Sequence, residues 1–140
     1  MANRMLSPTE AAALRRHTLL AKGWPTSECV ARQLGLPGEP AQAAAALRAS
    51  GRLLGVWSSE RHTFVHPTFQ FDADGRLLPE VASLLAVLPV AGDEGGWRRT
   101  FWLYGVREAL GGECPADIFA RDPARVLALA RMEFGEEPLA

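Results

Sequence analysis

Apolar residues recur in this chain at helical spacing, in blocks bounded by residues that start or stop helices. Ser7-Pro8-Thr9-Glu10 supplies a cap, a proline at the first helical position and a glutamate three residues after the cap, which predicts a helix through about Ala21. Lys22-Gly23 ends it. Thr26 or Ser27 caps a second helix over Glu28 to Leu34, in which Val30, Ala31 and Leu34 share one face, and Gly35 supplies the turn. A third helix runs from about Pro40 to Ser50 with Ala43, Ala44 and Leu47 as its apolar stripe, and Gly51 closes it. The period then changes. Leu53 to Trp57 and His62 to Val65 flank the polar turn Ser58-Ser59-Glu60-Arg61, the pattern of a β-hairpin. Three helices followed by a hairpin predict a winged helix-turn-helix.

Phe69-Gln70-Phe71 alternates like a short strand, and Asp72-Ala73-Asp74-Gly75 is a turn before Leu77-Leu78-Pro79. Helical spacing returns with Val81, Leu84, Leu85 and Leu88, up to Pro89. Gly92-Asp93-Glu94-Gly95-Gly96 reads as a flexible connector. It lacks both the Gly-Lys-Ser/Thr ending and the preceding strand of a phosphate loop. Arg98 to Leu110 is expected as one helix with Trp102, Val106, Ala109 and Leu110 on a single stripe, stopped by Gly111-Gly112. Pro115 opens a short helix through Phe119. Asp122 caps and Pro123 starts a last helix, ending at Gly135, with Val126, Leu127, Ala130 and Phe134 facing inward. The fold class is mainly α with a small β-hairpin, divided into a first unit over 1–78 and a helical second unit over 79–140.

Composition adds a charge asymmetry to this outline. The chain has 140 residues and a formal charge of −1, which argues against a surface built throughout to coat nucleic acid. Residues 1–78 carry nine basic and six acidic residues, whereas 79–140 carry six basic and ten acidic. The two halves are expected to meet different partners. Of the 15 basic residues 14 are arginine, and 23 alanines with 19 leucines favour helix. Cys29 and Cys114 are isolated from each other and from histidine at metal-ligand spacing, so they read as reduced structural residues of a cytoplasmic protein, and no metal or cofactor is expected. No apolar run approaches the roughly 18 residues of a membrane span, so no membrane partner is expected.

Catalytic patterns are missing. His17, His62 and His66 lie on a helix and a hairpin without a paired carboxylate or nucleophile motif, and neither Gly-x-Ser-x-Gly nor His-Glu-x-x-His occurs. An enzyme is not expected; its form would be a small catalyst using His62 or His66. Binding is the favoured occupation. In a helix-turn-helix the third helix enters the major groove, which would turn Gln42, Ala45, Ala46 and Ala49 toward bases, with Gln42 able to pair with adenine. Ser27, Arg48, Arg52 and Arg61 complete the candidate DNA-binding set, the arginines reaching phosphates from the helix end and the wing. Glu39 opposes such a contact, and the same arginines also suit a solvated face of a protein-binding module.

The stretch Trp102-Leu103-Tyr104-Gly105, Leu110-Gly111-Gly112, Pro115-Ala116-Asp117-Ile118-Phe119, Asp122-Pro123, Val126-Leu127 and Ala130 resembles the Xre/MbcA/ParS toxin-binding domain. Pro67 to Asp72 and Gly75 to Pro79 resemble the connector of some members, which extends the likeness to about half the chain. The resemblance implies an antitoxin of a type II toxin–antitoxin pair, whose partner is a RES-domain toxin that consumes NAD and whose active site the antitoxin blocks. It also implies a toxin-binding set of Trp102, Leu103, Tyr104, Phe119, Phe134, Glu136 and Glu137, with the acidic end of the chain docking against a basic pocket. A homodimer is expected, with operator DNA as a second partner. The alternative is a stand-alone transcription regulator without a toxin.

Overall fold

The computed structural model describes residues 5–135, and Glu136 and Glu137 lie outside them. Among the described residues the protein is mainly helical, with seven α-helices and one two-stranded antiparallel sheet. Helix α1 (Pro8–Leu20) starts with a full capping box: the Ser7 hydroxyl accepts from the Glu10 amide while the Glu10 carboxylate accepts from the Ser7 amide. Helix α2 (Ser27–Leu34) is capped by Thr26, whose hydroxyl accepts from the Cys29 amide, so Ser27 is left free to turn inward. Gly35, at φ 64°, ends α2 in the left-handed conformation. Glu39 is the cap of α3 (Pro40–Ala49): both carboxylate oxygens accept from the amides of Ala41 and Gln42.

The hairpin is shorter than the expected runs. Strands β1 (Val56–Ser58) and β2 (Thr63–Val65) pair with Val56 opposite Val65 and Ser58 opposite Thr63. Leu53 and Leu54 stay out of the sheet because the side chain of Gln70 occupies the backbone of Leu54, donating to its carbonyl at 2.8 Å and accepting from its amide at 2.9 Å. The same contact corrects the expected strand over 69–71. Thr68–Gln70 forms a 3-10 turn that aims Gln70 inward, and only Phe71 retains a strand-like bridge, to Leu77.

Helix α4 (Val81–Val87) matches its apolar spacing, but the expected helix over 98–110 is overturned. Helix α5 (Trp97–Leu103) stops early, and the chain folds back so that the amides of Arg107 and Gly112 donate to the carbonyls of Glu113 and Arg107, each at 3.0 Å. Leu110 is buried by this reversal, while Val106 is 72% exposed rather than on an inward stripe. The Arg125 guanidinium holds the loop by donating to the Ala109 carbonyl at 3.0 Å. Helix α6 (Pro115–Phe119) and helix α7 (Pro123–Phe134) begin at their prolines, and the Asp122 carboxylate caps α7 by accepting from the Arg125 amide.

The main core joins Val81, Leu84, Leu103, Ile118, Phe119 and Val126 with Leu54 and Phe69 from the first half of the chain. A second cluster of Leu19, Trp24, Val56, Val65 and Trp97 draws on both halves, and Val30, Ala44 and Leu53 form a third under α2 and α3. The expected flexible connector is instead a backbone contact in this seam. Gly96 has φ 81° and presses against β1 so closely that a Cβ there would sit 2.2 Å from the Gly55 carbonyl oxygen. Gly111 has φ 68° with nothing near such a Cβ. The pair separates backbone conformation from packing. Gly111→Ala should cost about 1 kcal/mol for the left-handed backbone alone, and Gly96→Ala should cost more than about 3 kcal/mol because backbone must also move apart. Thermal denaturation of both variants checks this; equal losses would mean that the Gly96 contact is soft.

Candidate functional site

The amino-acid pattern turns one row of α3 toward solvent. Ala44 is fully buried and Leu47 half-buried against α2, which leaves Gln42, Ala45, Ala46 and Ala49 exposed on the opposite side. Arg52, just past the end of α3, and Arg61, in the hairpin turn, are also exposed. Their guanidinium groups make no hydrogen bond or ion pair among the described residues. Gln42, Arg52 and Arg61 thus share the property that contact with a nucleic acid requires, an unspent polar group in water.

Arg48 and Ser27 are placed differently. The Arg48 guanidinium turns back under the sheet, donates to the Ser27 hydroxyl at 3.0 Å, and lies 2.9 Å from His66 Nε2 and 4.4 Å above the Phe64 ring. Ser27 is buried and accepts that bond. A guanidinium has only donors, so Nε2 of His66 is the acceptor, and the proton sits on Nδ1, which donates to the Pro25 carbonyl at 3.0 Å. His66 is fully buried. Burial lowers its pKa to about 4, with the Pro25 carbonyl pulling upward and the Arg48 charge adding to the depression. Burial also lowers the pKa of Arg48 itself. The cluster needs Gly55, where a Cβ would stand 2.5 Å from Arg48 Cδ. Arg48 and Ser27 therefore tie α2, α3 and the end of β2 together. His66, which the sequence presented as an isolated histidine, is the acceptor that makes this tie possible.

The second candidate set divides between core and surface. Trp102, Leu103 and Phe119 are buried at 8%, 0% and 0% exposure. Tyr104 is half-buried, its ring 5.2 Å from that of Trp24 and its hydroxyl held neutral by burial, which raises its pKa. Phe134 is half-buried edge-on against Trp102 at 5.8 Å. The C-terminal end of α7 is fastened by Glu133, which accepts from the Trp102 indole and from both terminal nitrogens of Arg107. Next to these bonded residues in the chain, Val106 and Met132 are 72% and 77% exposed. The apolar spacing assigns Val106 to an inward stripe and does not single out Met132; the reversal after α5 is what brings Val106 to the surface.

His17 lies 3.5 Å from Glu60 with both exposed, and no group of three or more His, Cys, Asp or Glu among the described residues is arranged to hold a metal ion. No helix among them is long and apolar enough to cross a membrane. No family model, curated protein or solved structure matches the chain.

The His66 geometry has a measurable consequence. Its folded pKa of about 4 lies below the 6.5 of a free imidazole, so the unfolded chain takes up the proton first as pH falls. The stabilisation is complete above pH 6.5 and drains away between 6.5 and 4, by up to about 3 kcal/mol at ~1.4 kcal/mol per unit. Urea denaturation at pH 7, 6 and 5 should show this slope. In His66→Gln the slope between pH 6.5 and 5 should flatten; an unchanged slope would assign it to other groups.

Proposed function

We propose that the protein is an antitoxin-type regulator, with α1 to α3 and the hairpin acting as a winged helix-turn-helix on operator DNA and the C-terminal helical half sequestering a RES-type toxin. The observation that carries the DNA half is the outward row of α3, Gln42, Ala45, Ala46 and Ala49, flanked by the unpaired Arg52 and Arg61. Small side chains let the helix approach base edges, Gln42 offers a bidentate amide, and the two arginines supply phosphate contacts. Ser27 and Arg48 are spent internally and take a supporting role. A homodimer on a two-fold operator completes this half.

The toxin half rests on the resemblance of residues 102–130, supported by the punctuation that they contain. Gly111, Pro115, Asp122 and Pro123 each start or stop an element. Because Trp102, Leu103 and Phe119 are core residues, the contact falls to Tyr104, Phe134, the exposed Val106 and Met132, and the acidic segment with Glu136 and Glu137 that follows the Glu133 anchor. The burial of those three residues also favours the second reading, a transcription regulator that keeps this fold without a toxin. A RES-domain gene beside this one decides between them.

Two experiments test the halves separately. Arg52→Ala and Arg61→Ala should each weaken operator binding across sequences and reduce the slope of log affinity against log salt by about 0.9 per lost phosphate contact, with the fold intact. Unchanged affinity in both would remove this surface from DNA. Truncation after Gly135 should abolish protection in a toxin co-expression growth assay and leave the melting temperature nearly unchanged, since the described core closes at Phe134. Full protection by the truncated chain would shift the contact to Tyr104, Val106 and Met132.

A further inference from the structure

A groove of about 750 Å³ opens between α1, the hairpin and α5, away from the α3 row and from the Glu133 anchor. Its volume lies in the ordinary range of small-ligand sites. Two aromatic pairs form its walls. On the hairpin Trp57 and Phe64 meet edge-on at 5.2 Å, and on α5 Trp97 and Phe101 are tilted at 5.5 Å. The Trp97 indole donates to the Trp57 carbonyl at 2.9 Å, so the walls are fixed to each other before anything enters. Trp57 is 38% exposed, which leaves part of its indole open to the groove.

The lining carries two arginines and two glutamates, so what each is already bonded to decides which charge is left for a ligand. Arg16 of α1 lines the groove and makes no hydrogen bond or ion pair among the described residues. Arg98 spends one nitrogen on the Ala91 carbonyl and keeps its other donors. Of the two carboxylates lining the groove, Glu60 is paired with His17 and Glu94 makes no hydrogen bond or ion pair among the described residues. The rings add a second preference. Arg15 sits 4.7 Å over Phe101 and Arg48 4.4 Å over Phe64, and neither arginine lines the groove. A ring already carrying a cation on one face is a poorer host for a second cation and a better one for an electron-rich aromatic system.

We propose that this groove binds a planar aromatic carboxylate, its ring between the Trp57–Phe64 and Trp97–Phe101 walls and its carboxylate on Arg16. This site is independent of the antitoxin reading.

The probe is 2-naphthoate, with neutral 2-naphthamide as its control, followed on the full chain by NMR of the tryptophan indole N–H signals. Saturable shifts of the Trp57 and Trp97 signals are expected, with that of Trp102, which lies in the main core, unmoved. Arg16→Ala should weaken binding of 2-naphthoate about tenfold without lowering the melting temperature, because a charge-assisted bond of about 1.4 kcal/mol is lost. Trp57→Ala should abolish it. The proposal fails if 2-naphthamide binds equally well, if Arg16→Ala leaves the affinity unchanged, or if no saturable shift occurs. It fails equally if the same indole signals move with protein concentration alone, since a second copy of the chain would then cover the groove.

Discussion

The side chain of Gln70 is the contact on which the path of the chain between the small cluster and the main core depends. It is fully buried, and a buried amide without partners would cost several kcal/mol. Here both of its N–H groups donate, to the carbonyls of Leu54 and Pro67 at 2.8 and 2.9 Å, and its oxygen accepts from the Leu54 amide at 2.9 Å. The amide does for Leu54 what a neighbouring strand would do. That fixes the path of the chain where Leu53 and Leu54 point in opposite directions, the first into the small cluster under α2 and α3, the second into the main core. A glutamate at position 70 would put an acceptor against two carbonyls, and a leucine would orphan three backbone groups.

Around that link, contact is maintained by subtraction of side chains as much as by addition. Gly96 brings backbone against the carbonyl of Gly55, and Gly55 itself clears the space in which Arg48 reaches His66. The two glycines are thus consecutive steps of one geometry. One closes the connector onto the sheet, and the other lets the guanidinium pass beneath that sheet. Among the described residues no buried side-chain nitrogen or oxygen lacks a hydrogen-bond partner, although Gln70, His66, Ser27 and Thr100 are all interior. Polar groups buried in this way specify one arrangement, because a slip of one element against its neighbours would break several bonds together.

What could be foreseen from the amino-acid pattern divides along the same line. The starts of α1, α3, α6 and α7 were legible because each has a proline at its first position, joined by a cap and a glutamate at α1 and by a capping aspartate at α7. The hairpin and the apolar stripe of α4 were legible from their periods. The strand expected at 69–71, the long helix expected over 98–110 and the flexible connector at 92–96 were all decided by partners distant in sequence. Gln70 meets Leu54, Arg125 meets Ala109, and Gly96 meets Gly55, and no local spacing encodes those meetings. The candidate sites divide likewise. Exposure of Gln42, Arg52 and Arg61 follows from helix period and turn position, whereas the capture of Arg48 depends on His66, eighteen residues away.

The arginine-rich composition gains a physical meaning from this sorting. Arg107 grips both oxygens of Glu133 with its two terminal nitrogens, a task for which a forked planar donor is suited and a lysine is not, while Arg48 bridges two acceptors and Arg99 is ion-paired to Asp93. Arg48, the one of these three that belongs to the first half, is spent on the fold, so the net positive charge of that half overstates what is available to a polyanion. Among the described residues only Arg52 and Arg61 flank the α3 row unpaired. Two phosphate contacts give a salt exponent of roughly 1.8, far below the exponent of about 10 that a tightly binding repressor reaches. A single chain on this reading would be held weakly, and useful operator affinity would require two chains to bind together. Dimerisation is therefore a condition of the DNA-binding reading rather than an addition to it: the same internal bonds that make the fold unique leave one copy with too little free charge.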